Sequence, residues 1–401
     1  MPRLRFAEFT DGWEEKALNE LGDIIGGGTP SSSNSNFWNG NIPWVSSSDI
    51  EENSIYNIRI NRFITEKAIN SSATKLCIAP TILIVSRVGV GKVAYSETDV
   101  CTSQDFTNVF NLKCEGIFLS YLLSIKMKKD ASNLQGTSIK GIPSSEIKLK
   151  KLLIPKNNEQ KKIASFLALI DDRIQTQKKI IDDLIVLKNS AVKKLFEDDI
   201  KFKNEKENFP KWEKKRLNEI SKEHLQKNPN NLYPEVFSVS KHKGVINQIE
   251  HLGRSFSAKE ITHYKLVYPG DLVYTKSPTS EFPFGIIKQN RTGRIGVVSP
   301  LYCVFKPDTF ALGYLLHEYF SSPVNTFNYL NPLVQKGAKN TMNINNDTFL
   351  NGAKLLLPIN DDEQNKIYNF LSLMEDKINI EQKLLTQFEN QKKYLLANLF
   401  V

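Results

Sequence analysis

The chain predicts an α+β protein: two similar α/β modules separated by two long helices, with the helices paired as an antiparallel coiled coil about an approximate two-fold axis. Three observations predict it. First, 401 residues leave room for more than one domain, and 40% hydrophobic with 24% charged residues is an ordinary globular composition. Second, the chain repeats itself. EQKKIASFLALIDDRI, starting at Glu159, returns as EQNKIYNFLSLMEDKI, starting at Glu363, with nine of sixteen positions identical at an offset of 204. WEEKALNEL from Trp13 likewise returns as WEKKRLNEI from Trp212, 199 residues on. Third, the EQ repeats have helical periodicity, whereas the stretches between them carry short β-branched and aromatic runs bounded by turn residues. The order is therefore module, helix, module, helix, with expected boundaries at 1–157, 158–197, 198–360 and 361–401.

Within the first module, strands are expected at 42–45, 78–85, 93–95 and 106–112, followed by a helix over 118–127. The second shows a similar succession at 267–274, 286–287 and 301–305, then a helix over 314–319. Landmarks keep their order: Pro80 with Pro269, Phe110 with Phe305, Tyr121-Leu122-Leu123 with Tyr314-Leu315-Leu316, and LLIP at 152–155 with LLLP at 355–358. Elsewhere the modules have diverged, so similar scaffolds present different surfaces.

The helices are predicted from a heptad seam. From Ile163 the apolar residues run through Leu167, Ile170, Ile174, Ile181, Leu184, Ala191 and Leu195. The copy reads Ile367, Leu371, Met374, Ile378, Leu385, Phe388, Leu395 and Leu399. Even the interruptions match, Gln177 and Lys188 against Glu381 and Lys392, and polar seam residues fix register at some cost in stability. Such a seam wants a partner helix, and a two-fold axis crossing the pair makes the two run antiparallel. At 1.5 Å per residue, each helix of roughly 38 residues is a rod of about 57 Å.

A net charge of +9 favours an anionic partner. Gly26-Gly27-Gly28-Thr29-Pro30 opens a Ser/Asn-rich run to Asn36, followed by Trp38, Trp44 and Ser46-Ser47-Ser48-Asp49. Short hydrogen-bonding side chains on glycine-supported loops suit close approach to a backbone or a base edge, which makes Thr29, Ser46, Ser47 and Ser48 candidate DNA contacts. Basic residues stand beside glycine and hydroxyl groups, as phosphate neutralisation favours. They are Arg87 and Lys92 in SRVGVGK, Lys140 in GTSIK, Lys276 after Thr275, and Arg291 and Arg294 around Thr292-Gly293. Lys336, Lys339 and Asn340 in QKGAKN, with Lys241, complete the set.

Bond chemistry finds no foothold. Gly89-Val90-Gly91-Lys92 fails as a phosphate loop, with Ser86 where glycine is needed and Val93 where Ser or Thr is needed. Asn331-Pro332-Leu333-Val334 departs from the NPP[YF] run of amino-methyltransferases at its third position. His224, His242, His251, His263 and His317 form no metal-ligand spacing. Cys77, Cys101, Cys114 and Cys303 stand singly, as expected of a chain in a reducing cytoplasm, and no metal site is expected. No run of about 18 apolar residues is present to span a bilayer, so no membrane partner is expected.

Taken in order, these phrases resemble the specificity (S) subunit of Type I restriction-modification systems. The resemblance covers essentially the whole chain. It rests on LL[IL]P followed by EQxxI..FL.....I in each half, on W[EK]xxxLxE opening each half, and on GGGTPSSSNSNFWNGNIPWVSSSDI and ILIVSRVGVGKVAY in the first module. It implies two target recognition domains, each reading one half of a bipartite double-stranded DNA sequence, while the helices set the spacer. It further implies two modification (methyltransferase) subunits docked on the helices and carrying S-adenosylmethionine, and two restriction (translocase and nuclease) subunits bringing ATP- and Mg-dependent translocation and cleavage. No cofactor is then expected on the chain itself, which is a non-catalytic reader. The second module departs from the pattern: Tyr268-Pro269-Gly270-Asp271-Leu272-Val273 fits, but nothing answers to GGGTP. Two other readings compete. One is a coiled-coil scaffold whose modules bind proteins or glycans; the other is a nuclease or methyltransferase that turns over without partners.

Overall fold

The structure, a computed structural model, describes residues 1–133, 141–197, 199–203, 208–258, 260–336 and 342–401. It divides into two compact units, Met1–Ile180 with Gln382–Val401, and Ile181–Glu381. Each unit holds one module together with one end of each of two long helices, the central helix Asn157–Phe196 and the C-terminal helix Asp361–Leu399.

In the first unit an antiparallel sheet runs in the order Asp23–Gly26, Phe106–Phe110, Thr81–Val85, Val93–Ser96. Thr81–Val85 is buried at every residue, the pattern of an inner strand covered on both faces. Residues 78–80, expected as part of this strand, stand before it, since Pro80 has no N–H to give to a ladder. A second sheet orders Phe63–Ile64, Ile42–Val45, Val100–Thr102 and Leu76–Cys77, its middle pair parallel. Helix Gly116–Asn133, longer than expected, buries Phe118, Leu119, Tyr121, Leu122, Leu123 and Met127 in the core.

The second unit repeats the first sheet strand for strand: Ser221–Glu223, Cys303–Pro307, Leu272–Tyr274, Ile287–Gln289. Leu301 and Tyr302, expected in a strand, form the turn before Cys303. Among the described residues its second sheet is reduced to Lys265–Val267 paired with Gly296–Val298, extended by isolated bridges from Lys227 to Lys265 and from Val236 to Val297. Helix Phe310–Tyr319 takes the place of the long module helix, and Thr309 caps it by accepting a hydrogen bond from the Leu312 N–H.

The phrases that recur in the sequence meet in space. The strand following each tryptophan pairs with the strand preceding each long helix, Glu14–Ala17 with Lys151–Ile154 and Glu213–Lys215 with Leu355–Leu357. The glutamine of each EQ reaches back to the proline ending LLIP or LLLP: Gln160 Nε2 donates to the Pro155 carbonyl at 2.8 Å, and Gln364 Nε2 to the Pro358 carbonyl at 3.0 Å. Glu159, buried, accepts from Arg5 Nε and Nη2, each at 2.8 Å, and from the Trp13 indole N–H at 3.3 Å.

In each unit the helix ends pack antiparallel. Ile163 and Leu167 share the first core with Leu395, Leu399 and Phe400, and Arg173 lies 4.5 Å from the Phe388 ring centroid. Ala191 and Leu195 share a core of the second unit with Ile367 and Leu371. Of the expected seam residues, Ile163, Leu167, Ile174, Ile181, Leu195, Ile367, Leu371, Ile378, Phe388, Leu395 and Leu399 are buried, while Ile170, Leu184, Met374 and Leu385 are half-buried.

Candidate nucleic-acid interface

The first unit gathers its expected contact residues at one end of its two sheets. The loop joining Val85 to Val93 approaches the turn Ser47–Asp49, because Lys92 Nζ donates to the carbonyls of Ser47 at 3.3 Å and Ile50 at 3.0 Å. Thr29 bonds to Gln104, and the next residue's carbonyl, that of Asp105, receives the Ser86 and Arg87 N–H groups. Thr29, Ser48 and Arg87 are exposed. Arg62 belongs to the same cluster: it lies 4.6 Å from the Trp44 ring centroid and bonds to Ser46 and Asp49. The sequence reading missed Arg62 because nothing local marks it; the pairing of strands brings it to Trp44.

Several expected contacts prove to be structural. The Ser46 hydroxyl and N–H both point at Asp49 Oδ2, each 2.8 Å away, closing the turn on itself. Lys92 is spent on backbone carbonyls. Two of the three GGGTP glycines serve packing: a Cβ on Gly27 would stand 2.1 Å from the Ser103 carbonyl oxygen and one on Gly28 2.4 Å from the Ala73 backbone, whereas one on Gly26 would meet nothing within 4 Å. The Gly28 carbonyl in turn accepts the Trp44 indole N–H and the Thr74 hydroxyl, both at 3.0 Å.

In the second unit the expected residues are divided. Lys276 stands where Arg87 stands in the first, just beyond the end of the corresponding strand, and Lys241 pairs at 2.5 Å with Glu281 in the loop that follows. Lys276 adopts a left-handed φ of 57°, uncommon outside glycine, with its backbone 2.7 Å from where a Cβ on Gly285 would sit. Burial lowers its pKa. Arg291 and Arg294 lie beyond Gln289, the opposite end of the same strand pair. Arg291 is turned to the long helix, bonded to Glu375 at 2.6 Å and lying 4.9 Å from the Tyr314 ring centroid; Arg294 pairs with Glu250 and Glu235. These two candidate contacts therefore stand at the other end of the strand pair from Lys276. Lys336 lies in the strand Gln335–Lys336, and Lys140, Lys339 and Asn340 fall outside the described residues. Where the first unit has GGGTP, the second has a loop braced by buried Asn228, which exchanges hydrogen bonds with the Tyr233 backbone at 3.0 Å.

Residues 10–185 match the model of the Type I restriction modification DNA specificity domain. This stretch is similar to Type I specificity domains. The chain is 33% identical over 227 residues, 52% of either chain, to the Type I restriction enzyme MjaIX specificity subunit of Methanocaldococcus jannaschii. It is also 33% identical over 168 residues to the EcoR124I/EcoR124II specificity subunit of Escherichia coli, covering 39% of this chain and 41% of that one. The chain thus spans about half the length, or less, of the curated relatives it matches. A crystal structure of a Type-I restriction-modification system S subunit from M. genitalium aligns over 100% of this chain and 99% of its own, at 15% identity and TM-score 0.55. That likeness shows the fold alone. The matched domain contains the Thr29–Arg62–Arg87 cluster, and its main sheet order is the one that returns in the second unit.

Proposed function

We propose that the chain is the DNA-reading subunit of a Type I restriction-modification complex. One observation carries this reading: residues 10–185 match the model of a DNA specificity domain, and the main sheet order of that stretch recurs in the second unit with a different loop surface. The two modules, bounded at 1–157 and 198–360, are the target recognition domains. Each reads one half of an asymmetric bipartite site through the major groove, with cations on phosphate and polar side chains on base edges. In the first half these are Thr29, Ser48, Arg62 and Arg87, and in the second Lys241 and Lys276.

Two modification subunits dock on the helices. The exposed leucines Leu169 and Leu373, at equivalent positions of the repeat, support one docking place per half. S-adenosylmethionine, ATP and magnesium act on partner subunits, two modification and two restriction, and the complex works in the cytoplasm. No described helix is long and apolar enough to cross a membrane. The rival reading, a scaffold for proteins or glycans, draws no support from the relatives. Mapping methylated adenines in host DNA with and without the chain is the test. Two short motifs at fixed separation, lost with the chain, are expected; an unchanged methylation map would overturn the proposal.

A further inference from the structure

The polar interruptions of the helical seam have partners, and the partnership is duplicated. In the first unit Lys392 Nζ, from the C-terminal helix, donates at 2.5 Å to Asp171 Oδ1 on the central helix. The other oxygen of Asp171 receives the Tyr121 hydroxyl, from the module helix, at 2.5 Å. In the second unit Lys188, from the central helix, lies 3.5 Å from Glu375 Oε2 on the C-terminal helix, and the same oxygen receives the Tyr314 hydroxyl of that module's helix at 3.0 Å. Lys188 and Lys392 are equivalent in the repeat, as are Asp171 and Glu375, both at the offset of 204. Tyr121 and Tyr314 are the tyrosines of the recurring Tyr-Leu-Leu. Each lysine also lies over its tyrosine, 5.7 Å and 6.0 Å from the ring centroid.

We infer that these two tyrosine–carboxylate–lysine triads are the joints that seat each module on the helix pair, and that they thereby set how strictly the protein measures the distance between its two half-sites. The inference rests on the DNA-reading function proposed above and adds the residues that position its readers. Its physical basis is that each triad ties three elements at one point: lysine on one helix, carboxylate on the other, hydroxyl on the module. Slipping the helices by one turn displaces the lysine by about 5.4 Å from its carboxylate. Tilting the module withdraws the hydroxyl. Either movement leaves a charged or polar group buried without its partner, since the side chains of Asp171 and Lys392 are only 8% and 10% exposed. A purely apolar seam tolerates such slips far better.

The joints also differ. Lys392 makes a further hydrogen bond to the Asn53 carbonyl at 2.9 Å, while Lys188 is shared with Glu318 at 2.8 Å and Glu375 is held by Arg291. This accounts for Arg291 turning away from the expected DNA surface. The first joint lines a cavity of about 880 Å³, which leaves room for a neutral side chain to be accommodated there.

The test is selection from a randomised duplex library by the complex with its modification subunits, comparing wild type with Lys392→Gln and Lys188→Gln. Wild type is expected to enrich two half-sites at one spacer length. Each variant should enrich the same half-site bases with the share of spacers one base pair too long or too short raised about tenfold, the scale of one charge-assisted hydrogen bond. Tyr121→Phe, which removes a single hydroxyl, should move in the same direction and serves if a lysine variant does not fold. Folded variants that keep the wild-type spacer distribution would overturn the inference. Wild type that enriches no bipartite site would instead overturn the DNA-reading function itself, so the two failures are told apart.

Discussion

Residues here carry two kinds of charge, those used within a unit and those left on its surface. Lys288 is the clearest of the first kind. It is 4% exposed, its Nζ donates to Ser321 Oγ at 2.7 Å, and burial pulls its pKa down from 10.5 to about 8. The cost of burying the charged form is felt in full below pH 8, where both folded and unfolded lysines are protonated. It fades as pH rises from 8 to 10.5, so this group makes the fold more stable with rising pH across that window. Lys288→Met removes the dependence. The variant's stability relative to wild type is expected to fall by up to about 3 kcal/mol between pH 7.5 and pH 10.5, read by urea unfolding; a pH-independent difference would refute it. Neighbouring His317 is held neutral by burial and by Lys288, Arg291 and Lys188, and its Nδ1 accepts the Gln289 N–H at 3.1 Å. Sequence reasoning found no metal-ligand spacing around His317, and the hydrogen bond shows the structural part it plays.

At the scale of elements, the entry to each long helix is the best-determined feature. Trp13 is far in sequence from the LLIP strand and the EQ pair yet joins them in one node, with Glu159 buried among Arg5 and Trp13. Glu159→Ala would leave the Arg5 guanidinium, whose side chain is 16% exposed, without its partner in the node. A loss of stability is expected, read by urea unfolding, and Arg5→Met combined with Glu159→Leu should recover much of it, since removing both charges spares the survivor. Equal stability for the single and double variants would contradict this account. Repetition made the node legible, because a residue pattern that returns intact while its surroundings diverge marks a shared structural need. The strands were legible where they were buried and uninterrupted, and misjudged at residues 78–80, 268–271 and 301–302, where proline or a turn ended them; 268–271, with Pro269 and Gly270, divides the expected 267–274 strand between two sheets.

For the whole molecule, a bipartite reader predicts that recognition and spacing are separable. Inserting seven residues at matched points of both long helices preserves the seam, because the heptad is its period. Such a variant is expected to select the same half-sites at a longer spacer, whereas altered half-site bases would show that the helices do not act as the ruler. Loss of a surface cation such as Arg87 should weaken all DNA sequences alike and flatten the salt dependence, while loss of a base-reading side chain changes one base position.

Sequence by itself determined the duplication, the long helices, their heptad seam and its matched polar breaks, because repetition and periodicity are linear properties that survive without coordinates. It also singled out the Ser46–Ser48 and Arg87–Lys92 segments that the first unit brings together. Only the tertiary structure decided which of those polar residues are free. Lys92, Ser46 and Arg291 are drawn inward because a carbonyl, an aspartate and a glutamate brought close by the fold hold them better than water does. Arg62 becomes part of the surface cluster because strand pairing sets it beside Trp44. Hydrogen-bond partners distant in the chain leave no local trace, so the division between structural and DNA-facing charge was the part that had to be seen.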